Sequence, residues 1–465
     1  APPPIREAGA VRWLRQNLFS GPVNTILTLL GIAIIWFIVS HFWPWFAHSV
    51  WRADSLAQCR EIIARTWGEG ASGAYFAVIR ERWHQYMFGF YPPELYWRPL
   101  LAFGLLMVAL APILFSESRI IRRIVLIVSA TATLILALAL GIPTPALILA
   151  ATAMIGAIAV AERQPTRLLI FSALYPFLGV WLLWGGSLWG PLMVLASFGL
   201  GALAWVVVAR LLPLLAAAAA IIVALVWWIG FAGRAAEDLQ NLLPLAITPV
   251  ASDQFGGFLL AITIGIAGIA LSLPMGIMLA LARRSDMFLV KSLSVMFIEF
   301  IRGVPLISLL FVASLLLNYF LPPGTNFDII LRVIIMVTLF AAAYMAEVIR
   351  GGLAALPKGQ YEAADALGLD YWKAQRLIIL PQALKISIPG IVSTFIGMFK
   401  DTTLVTFVGL FDPLKGISDF VRANFAWKGI YWEPFIFVGA IFFIICFSMS
   451  RYSMFLERRL ARANR

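Results

Sequence analysis

Charged and hydroxyl side chains stand inside apolar segments in the second half of the chain, where they could bind a polar solute. The candidate residues are Glu299, Glu347, Lys400, Asp401, Thr402 and Thr403. An ionisable side chain at the centre of a bilayer costs about 2.5–3.5 kcal/mol on insertion scales, so such residues usually face a helix-bundle interior or an aqueous cavity. A zwitterionic solute needs one group of each sign, and this set supplies both.

The same charges have a second interpretation, in which they only fix helix packing. Arg302 and Arg332 lie in or at the ends of neighbouring apolar segments, and a long basic side chain can extend from a helix end to the membrane surface. Ion pairs between such residues and Glu299 or Glu347 would hold helices together without binding a solute. The sequence leaves both interpretations open.

Sequence motifs of common enzymes are absent. There is no Gly-x-x-x-x-Gly-Lys-Ser/Thr run, so this chain has no P-loop for nucleotide phosphates. No Gly-x-Ser-x-Gly or His-Glu-x-x-His motif is present either. We therefore predict no catalytic residue, no bound cofactor and no metal ligand in this chain.

The histidines and cysteines do not change that prediction. His41, His48 and His84 lie in or beside one polar stretch, where solvated interfacial side chains are a simpler interpretation than a metal site. Cys59 stands in a polar stretch and Cys446 in an apolar run, so we predict no disulfide between them.

A polar stretch over residues 350–384 separates two apolar segments. Its Glu362–Leu367 part favours a helix, and Gly368 supplies a C-terminal stop. A second short helix is predicted from about Tyr371 to Pro381. Two short helices joined at a glycine would form a compact projection of a size suited to docking.

The elements that position these residues are helices that cross a membrane. The chain has 465 residues, of which 62% are hydrophobic and 12% charged, and this composition excludes a soluble globular domain. The net charge of +12 lies mostly in short segments flanking apolar runs, which indicates membrane topology and not nucleic-acid binding. Since about 20 apolar residues cross a bilayer, we predict an all-α polytopic membrane protein with about twelve spans, at 26–43, 99–115, 122–141, 145–161, 168–184, 189–209, 213–232, 258–281, 293–320, 329–349, 385–410 and 434–452.

The spans divide into an almost uncharged group and a group with polar interruptions. The predicted parts are an N-terminal extension over 1–232 with about seven spans and a long outer loop at 44–98, an outer linker over 233–257, a core of five spans over 258–452 that contains the 350–384 loop, and a basic tail over 453–465. The distribution of Lys and Arg predicts that both termini and the 350–384 loop are cytoplasmic.

The 350–384 loop resembles a signature of one transporter family. Glu362-Ala363-Ala364, then Gly368, Ile378 and Leu380-Pro381 reproduce the EAA signature of permease subunits of ATP-binding-cassette (ABC) importers. Three flanking segments narrow the resemblance to importers of polar amino acids, nearest to the M-type permeases of general L-amino acid importers. These segments are Phe297–Leu306, Ala343–Gly352 and Lys400–Leu404.

The resemblance implies a fold, a mechanism and partners. It implies a type I ABC importer permease core and a coupling helix that inserts into a groove of an ATPase subunit. The implied partners are a second homologous permease, an ATPase dimer that holds ATP and Mg, a periplasmic amino-acid-binding protein and membrane lipid, in a bacterial inner membrane. The implied coupling residues are Gly359, Tyr361, Glu362, Ala363, Ala364, Asp365, Leu367 and Gly368.

Two other classes of membrane protein fit the sequence less well. An ion-coupled secondary transporter that acts without an ATPase would show two similar halves, whereas here seven nearly uncharged spans precede five with polar interruptions. A polytopic membrane enzyme would need a cluster of catalytic side chains at one membrane face, and no such cluster is evident. The sequence therefore favours a subunit of an ATP-driven importer of L-amino acids.

Overall fold

A computed structural model gives the fold. It describes residues 9–115, 118–141, 165–210, 212, 215–316, 328–421 and 424–462, together with eight residues at isolated positions between 148 and 159. Within these ranges the chain is almost wholly helical, and the one sheet pairs strand β1 (Gly186–Ser187) with strand β2 (Ala246–Ile247). The predicted all-α polytopic class is confirmed.

The first half of the chain forms ten helices within the described ranges. They are α1 (Gly9–Asn17), α2 (Pro22–Ala47), α3 (Leu56–Trp67), α4 (Ala77–Phe88), α5 (Trp97–Leu114), α6 (Arg119–Ala139), α7 (Pro165–Trp184), α8 (Trp189–Ala209), α9 (Ala216–Val226) and α10 (Ala232–Leu242). A π-helical turn over Trp227–Phe231 joins the last two, and a 3-10 turn over Pro93–Leu95 leads into α5. Serine hydroxyls cap two of the helices, since Ser55 and Ser118 accept hydrogen bonds from backbone N–H groups of the first turn.

The second half forms the long helices and the short ones between them. They are α11 (Gly257–Arg283), α12 (Phe288–Gly303), α13 (Leu306–Phe311), α14 (Ile329–Ala354), α15 (Lys358–Ala366), α16 (Tyr371–Ala374), α17 (Leu380–Asp401), α18 (Pro413–Gly416) and α19 (Trp432–Arg462). Turns of 3-10 or π type cover Ser252–Gln254, Val312–Leu316, Gln375–Ile379, Thr402–Val408, Ile417–Val421 and Phe425–Trp427.

Ten of the twelve predicted spans each coincide with one continuous helical segment of the described residues. Among the described residues, nine helices are long and apolar enough to cross a membrane. The predicted span at 293–320 corresponds to α12 and α13, which meet at 103°, and that at 168–184 to a shorter apolar helix over Leu168–Trp184. The predicted span at 145–161 lies mostly outside the described residues.

One compact unit consists of residues 1–86 and 413–451. Its buried cluster includes Cys59, Ile63, Phe76 and Trp427, so the predicted 44–98 loop contains a packed substructure, formed by α3 and α4. The backbone N–H of Tyr75 donates to a carboxylate oxygen of Glu433 at 2.8 Å. Both cysteines of the chain are free.

The other compact unit consists of residues 87–412 and 452–465. At its centre α11 and α14 pack side by side, and glycines allow the close approach. A Cβ built on Gly268 would lie 3.2 Å from Val337, and one on Gly276 would lie 2.6 Å from Met345. The two contacts advance together along both helices, so α11 and α14 run parallel.

Helix α17 packs antiparallel to α14 and α11. A Cβ on Gly352 would lie 2.5 Å from the carbonyl oxygen of Ala383, and one on Gly390 would lie 2.6 Å from Val348. At the opposite end, a Cβ on Gly265 would lie 2.7 Å from Phe399. The C-terminal ends of α11 and α14 therefore lie on the same side of the unit as the start of α17.

Candidate functional site

The predicted coupling segment forms a short helix with a defined stop. Helix α15 follows Pro357, and Gly368 has a φ of +68°, in the left-handed region that favours glycine. The Gly368 N–H donates to the carbonyl of Asp365 at 2.9 Å, and the Leu369 N–H donates to that of Ala364 at 3.2 Å. These two bonds form a Schellman motif, so the predicted stop at Gly368 is confirmed.

One face of α15 packs against the rest of its unit. Ala364 is buried, and Tyr361 packs on a buried cluster that includes Leu353 and Leu356. Arg284 donates to the Tyr361 hydroxyl at 3.0 Å and lies over the Tyr361 ring, 5.5 Å from its centroid. Two of the eight predicted coupling residues, Tyr361 and Ala364, thus anchor the helix.

The other six predicted coupling residues lie on the exposed surface. They are Gly359, Glu362, Ala363, Asp365, Leu367 and Gly368. Leu367 is 72% exposed, and the following turn adds exposed Tyr371, Trp372 and Leu377. A shallow open concavity lies beside them, lined by Asp370, Tyr371, Trp372, Lys373, Arg376 and Leu377. A large exposed apolar surface of this kind is typical of a protein interaction site.

Asp370 caps the start of α16, which continues through the π-helical turn over Gln375–Ile379 into α17. The prediction that a second short helix ends at Pro381 is therefore wrong, because proline is tolerated in the first turn of α17. The Asp370 side chain accepts a hydrogen bond from the Lys373 backbone N–H at 2.9 Å, and the Lys373 ammonium group lies 3.0 Å away. The backbone bond and then the side-chain bond to Lys373 lower the pKa of Asp370. The carboxylate therefore stays charged at neutral pH, and its capping is lost only as the pH falls through that lowered pKa.

Two of the predicted solute-path residues belong to a cluster of five charges, which we call the inner charge cluster: Arg283, Glu299, Arg302, Glu347 and Arg350. Arg283 donates to Glu299 at 2.9 Å and to Glu347 at 2.5 Å. Arg350 contacts Glu347 at 3.0 Å. Arg302 lies 3.9 Å from each carboxylate. Glu299 and Glu347 are thus neutralised by arginines, which favours the packing interpretation for both.

The other predicted solute-path residues lie at the end of α17. Lys400 is exposed and Asp401 is half-buried. Thr402 is fully buried, and its hydroxyl donates to the carbonyl of Phe399 at 2.8 Å. The Thr403 hydroxyl donates to the carbonyl of Lys400 at 2.9 Å. Both hydroxyl groups therefore donate to backbone carbonyls of α17. The charged groups of Lys400 and Asp401 remain better placed to bind a solute.

The structure does not bring the two groups of solute-path residues together. Gly265 packs beside Phe399 and Thr402, whereas Arg283 of the same helix contacts the inner charge cluster. These two positions are 18 residues apart, which is about 27 Å along an α-helix. Arg332 is separate from both, because it is buried and donates to the Ser314 carbonyl at 3.1 Å.

Metal binding finds no support in the described part of the chain. No group of three or more His, Cys, Asp or Glu side chains there is arranged to hold an ion. His48 stacks on Trp67 with a centroid distance of 4.2 Å, and His41 stacks on Phe37 at 6.1 Å.

The sequence pattern identified Arg302 but not Arg283 and Arg350, the arginines closest to the carboxylates of the inner charge cluster. The spacing of Glu347 and Arg350 could have indicated their pair, because residues three apart are neighbours on a helix surface. Arg283 belongs to another helix, and no local signal identifies it as a partner of Glu347. The exposure of Tyr371 and Trp372 had a signal in the sequence, because the two adjacent aromatic residues stand in a polar loop.

A family model and two full-length relatives that match this chain are all membrane components of transport systems. Residues 272–462 match the family model described as "Binding-protein-dependent transport system inner membrane component". The chain is 56% identical to the glutamate/glutamine/aspartate/asparagine transport system permease protein BztC of Rhodobacter capsulatus, over all of this chain and 96% of that protein. It is 35% identical to the inner membrane amino-acid ABC transporter permease protein YhdY of Escherichia coli, over 97% of this chain and 93% of that protein.

A solved structure also shows similarity over part of the chain. A chain of an amino acid ABC transporter crystallised with histidines is 31% identical, with 43% of this chain and 90% of that chain covered and a TM-score of 0.38.

Proposed function

The chain belongs to the family of permease subunits of amino-acid ABC transporters, and on that premise we propose how its parts act in import. The chain is a transmembrane subunit of an amino-acid importer, and in this family ATP hydrolysis belongs to separate ATPase subunits. We propose that α15 and the turn at Gly368 dock on the ATPase and transmit its movement to the membrane helices.

One observation carries the docking proposal. Six of the eight predicted coupling residues are exposed on a helix whose opposite face is anchored, next to an apolar surface formed by Leu367, Tyr371 and Trp372. Because α15 is anchored on one face and exposed on the other, a partner that moves α15 would also move the helices packed against it. ATP binding would then shift the pathway between inward-facing and outward-facing states.

We propose acidic amino acids and their amides as the substrates. The support is the name of the 56% identical, full-length relative, which is a glutamate/glutamine/aspartate/asparagine permease. Lys400 and Asp401 supply one charge of each sign for the zwitterionic backbone of such a substrate, at the end of α17 away from the coupling segment. Glu299 and Glu347 are engaged with arginines and are weaker candidates for substrate contact.

The remaining parts of the proposal concern partners and orientation. The family supports an ATPase and further subunits, and we propose a homologous second permease, an ATPase dimer with ATP and Mg, and a periplasmic amino-acid-binding protein. We propose the bacterial inner membrane as the location, with both termini and the coupling segment in the cytoplasm. The domain boundaries, including the N-terminal extension over 1–232, stand as predictions.

Uptake by reconstituted vesicles tests the proposed function. The complete importer is placed in liposomes with ATP inside and binding protein outside, and uptake of radiolabelled glutamate, aspartate, glutamine and asparagine is compared with that of lysine and leucine. We expect ATP-dependent uptake of the first four only. Gradient-driven uptake by the purified chain without an ATPase would contradict the proposal. It would support the alternative of an ion-coupled secondary transporter, which the comparisons do not favour.

A further inference from the structure

The inner charge cluster connects the coupling segment with a break in the membrane helices. Glu347 and Arg350 lie in the last turns of α14, and only residues 355–357 separate that helix from α15. Arg283 and Arg284 are neighbours, and Arg284 holds the Tyr361 hydroxyl of α15. Two connections therefore join α15 to the cluster, the backbone of residues 355–357 and the Arg284–Tyr361 contact.

The other side of the cluster lies at the break between α12 and α13. Glu299 and Arg302 occupy the last turn of α12, and α13 departs at 103° after Val304 and Pro305. Proline removes one backbone donor and disfavours a helical conformation in the residue before it, and Val304 is accordingly extended. A helix break with few backbone hydrogen bonds is a place where α13 can rotate relative to α12.

Arg302 is the loosely held member of the cluster. Arg283 and Arg350 approach Glu347 to 2.5 and 3.0 Å, whereas Arg302 lies 3.9 Å from both carboxylates. Among the described residues, Arg302 donates no hydrogen bond, its Nε is buried without a partner, and its guanidinium lies over the Tyr344 ring at 5.6 Å. A shift of about 1 Å would bring Arg302 within hydrogen-bonding distance of a carboxylate.

Arg302 does not lie on the exposed apolar face of α12, the face that would contact lipid. Apart from Phe288 at its first position, the exposed apolar residues of α12 are Leu289, Leu293, Met296 and Phe300, which recur at helical spacing along one face. At about 100° per residue, Arg302 lies on the opposite side, close to buried Ile298. Its charge is therefore directed to the protein side, where α11 and α14 supply its partners.

We propose that Arg302 and Glu347 are positioning residues that transmit the movement of the coupling segment to the pivot at residues 303–305. In the state of this structure Arg302 is loosely paired. When α15 moves, Glu347 moves with α14 and closes on Arg302, which turns α13 relative to α12. Sub-ångström shifts at such a junction can be amplified because packed helices exchange between discrete arrangements. The proposal rests on the proposed docking of the ATPase at α15.

The first test measures coupling between transport and ATP hydrolysis. The complete importer is reconstituted with Arg302→Gln, Arg302→Lys, Glu347→Gln or the control Lys291→Gln, which removes an exposed charge of α12. Energetic coupling between sites corresponds to about 5- to 150-fold effects, and we expect Arg302→Gln and Glu347→Gln to lower the number of amino acids imported per ATP by about tenfold. Lys291→Gln keeps the wild-type ratio, and Arg302→Lys retains most of it.

The second test detects movement at the pivot without relying on transport. Gly303→Cys is introduced into a chain without Cys59 and Cys446, since a Cβ at Gly303 meets nothing within 4 Å. We expect the rate of maleimide labelling at position 303 to differ severalfold between nucleotide-free and ATP-trapped importer. That difference should vanish with Glu347→Gln.

The outcomes separate this inference from the proposed function. If wild-type importer moves amino acids with ATP but the Arg302→Gln and Glu347→Gln ratios equal the wild-type ratio, the inference is overturned and the proposed function stands. An unchanged labelling difference at position 303 in Glu347→Gln also overturns it. If the wild-type complex shows no ATP-driven uptake, the proposed function itself fails.

Discussion

At the scale of single residues, Gly368 has the most restrictive backbone of the coupling segment. Its φ of +68° is adopted at little cost by glycine, whereas other L-residues lose about 1–2 kcal/mol there. A Cβ at this position meets nothing within 4 Å, so the cost comes from the backbone alone. The angle between α15 and the following turn therefore depends on this one residue.

We expect Gly368→Ala to weaken association with the ATPase by about fivefold to thirtyfold, the equivalent of 1–2 kcal/mol. Gly233→Ala is the matched control, because Gly233 has helical geometry and equally open surroundings. The measurement is the affinity of detergent-purified permease complex for ATPase subunits. Equal affinities for the two variants would show that the left-handed turn is not needed for docking.

Burial makes Cys59 unreactive. Loss of solvation, with a smaller effect of the nearby Glu433 carboxylate, raises the pKa of the Cys59 thiol to about 11. Because this folded-state value exceeds the ordinary 9.0, the buried thiol stabilises the fold below pH 9, and that stabilisation declines as the pH rises from 9 towards 11.

In a Cys446→Ala background we expect alkylation of Cys59 at pH 8 to be about 100-fold slower in the native protein than after unfolding in detergent, because the fraction of thiolate falls tenfold per pKa unit. Labelling followed by mass spectrometry gives both rates. Comparable rates in the two states would contradict the buried position of Cys59.

Residue types in the sequence identified the charged candidates for solute binding but not the residues that form ion pairs with them. Glu347 is identifiable because a carboxylate in an apolar segment is rare, and Gly368 because its neighbours favour a helix that must stop. That Arg283 binds Glu347, however, depends on the packing of α11 against α14, 64 residues apart in the sequence. For the same reason Cys59, which stands in a polar stretch, gave no sign of being fully buried.

At the scale of elements, glycines set how closely the helices of the core approach. Gly352 packs against the backbone of Ala383 on α17, whereas the adjacent Gly351 points to open space. The two positions share a helix and a sequence context and differ only in what a methyl group would meet.

We expect Gly352→Ala to destabilise the core by about 1–3 kcal/mol, because overpacking forces α14 and α17 apart. Gly351→Ala should be neutral or slightly stabilising, since alanine favours a helix over glycine by about 1 kcal/mol. Thermal unfolding of the purified chain in detergent compares them. A Gly352→Ala variant as stable as Gly351→Ala would refute the close approach.

Hydropathy located the long helices well but not the irregular ones. The runs at 258–281 and 329–349 lie within α11 and α14 because a bilayer requires a minimum apolar length. The run at 293–320 was predicted as one span, yet Pro305 divides it into helices that meet at 103°. The number of apolar residues in that run is the same whether the helix is straight or bent, so hydropathy cannot reveal the bend.

At the scale of the whole molecule, the distribution of basic residues predicts the orientation of the chain in the membrane. The ends of α11 and α14 lie on the same side of their unit as the start of α17. Arg283, Arg284 and Arg350 at those ends, with Lys358 at the start of α15, predict a cytoplasmic location for that side. The residue pattern alone predicts this side, and spans that alternate in direction already imply that α11 and α14 run parallel. Their direct packing at Gly268 and Gly276 required the structure.

We expect Lys358→Cys to react with a membrane-impermeant maleimide only in inside-out vesicles and Glu69→Cys only in intact spheroplasts, each in a chain whose native cysteines are replaced. Both side chains are exposed, so access depends on the side of the membrane. Labelling of both positions from the same side would refute the proposed topology.

A photocrosslink from Leu367 tests whether the ATPase docks on the coupling segment. Leu367 is 72% exposed at the end of the coupling helix, and a photoreactive residue placed there in the complete importer would react with whatever docks on that surface. We predict an adduct with the ATPase subunit, changed in yield by ATP, and none from a control position at Phe443, which is exposed in the middle of the long apolar helix α19. An importer that transports with ATP yet gives no ATPase adduct from position 367 would contradict that docking.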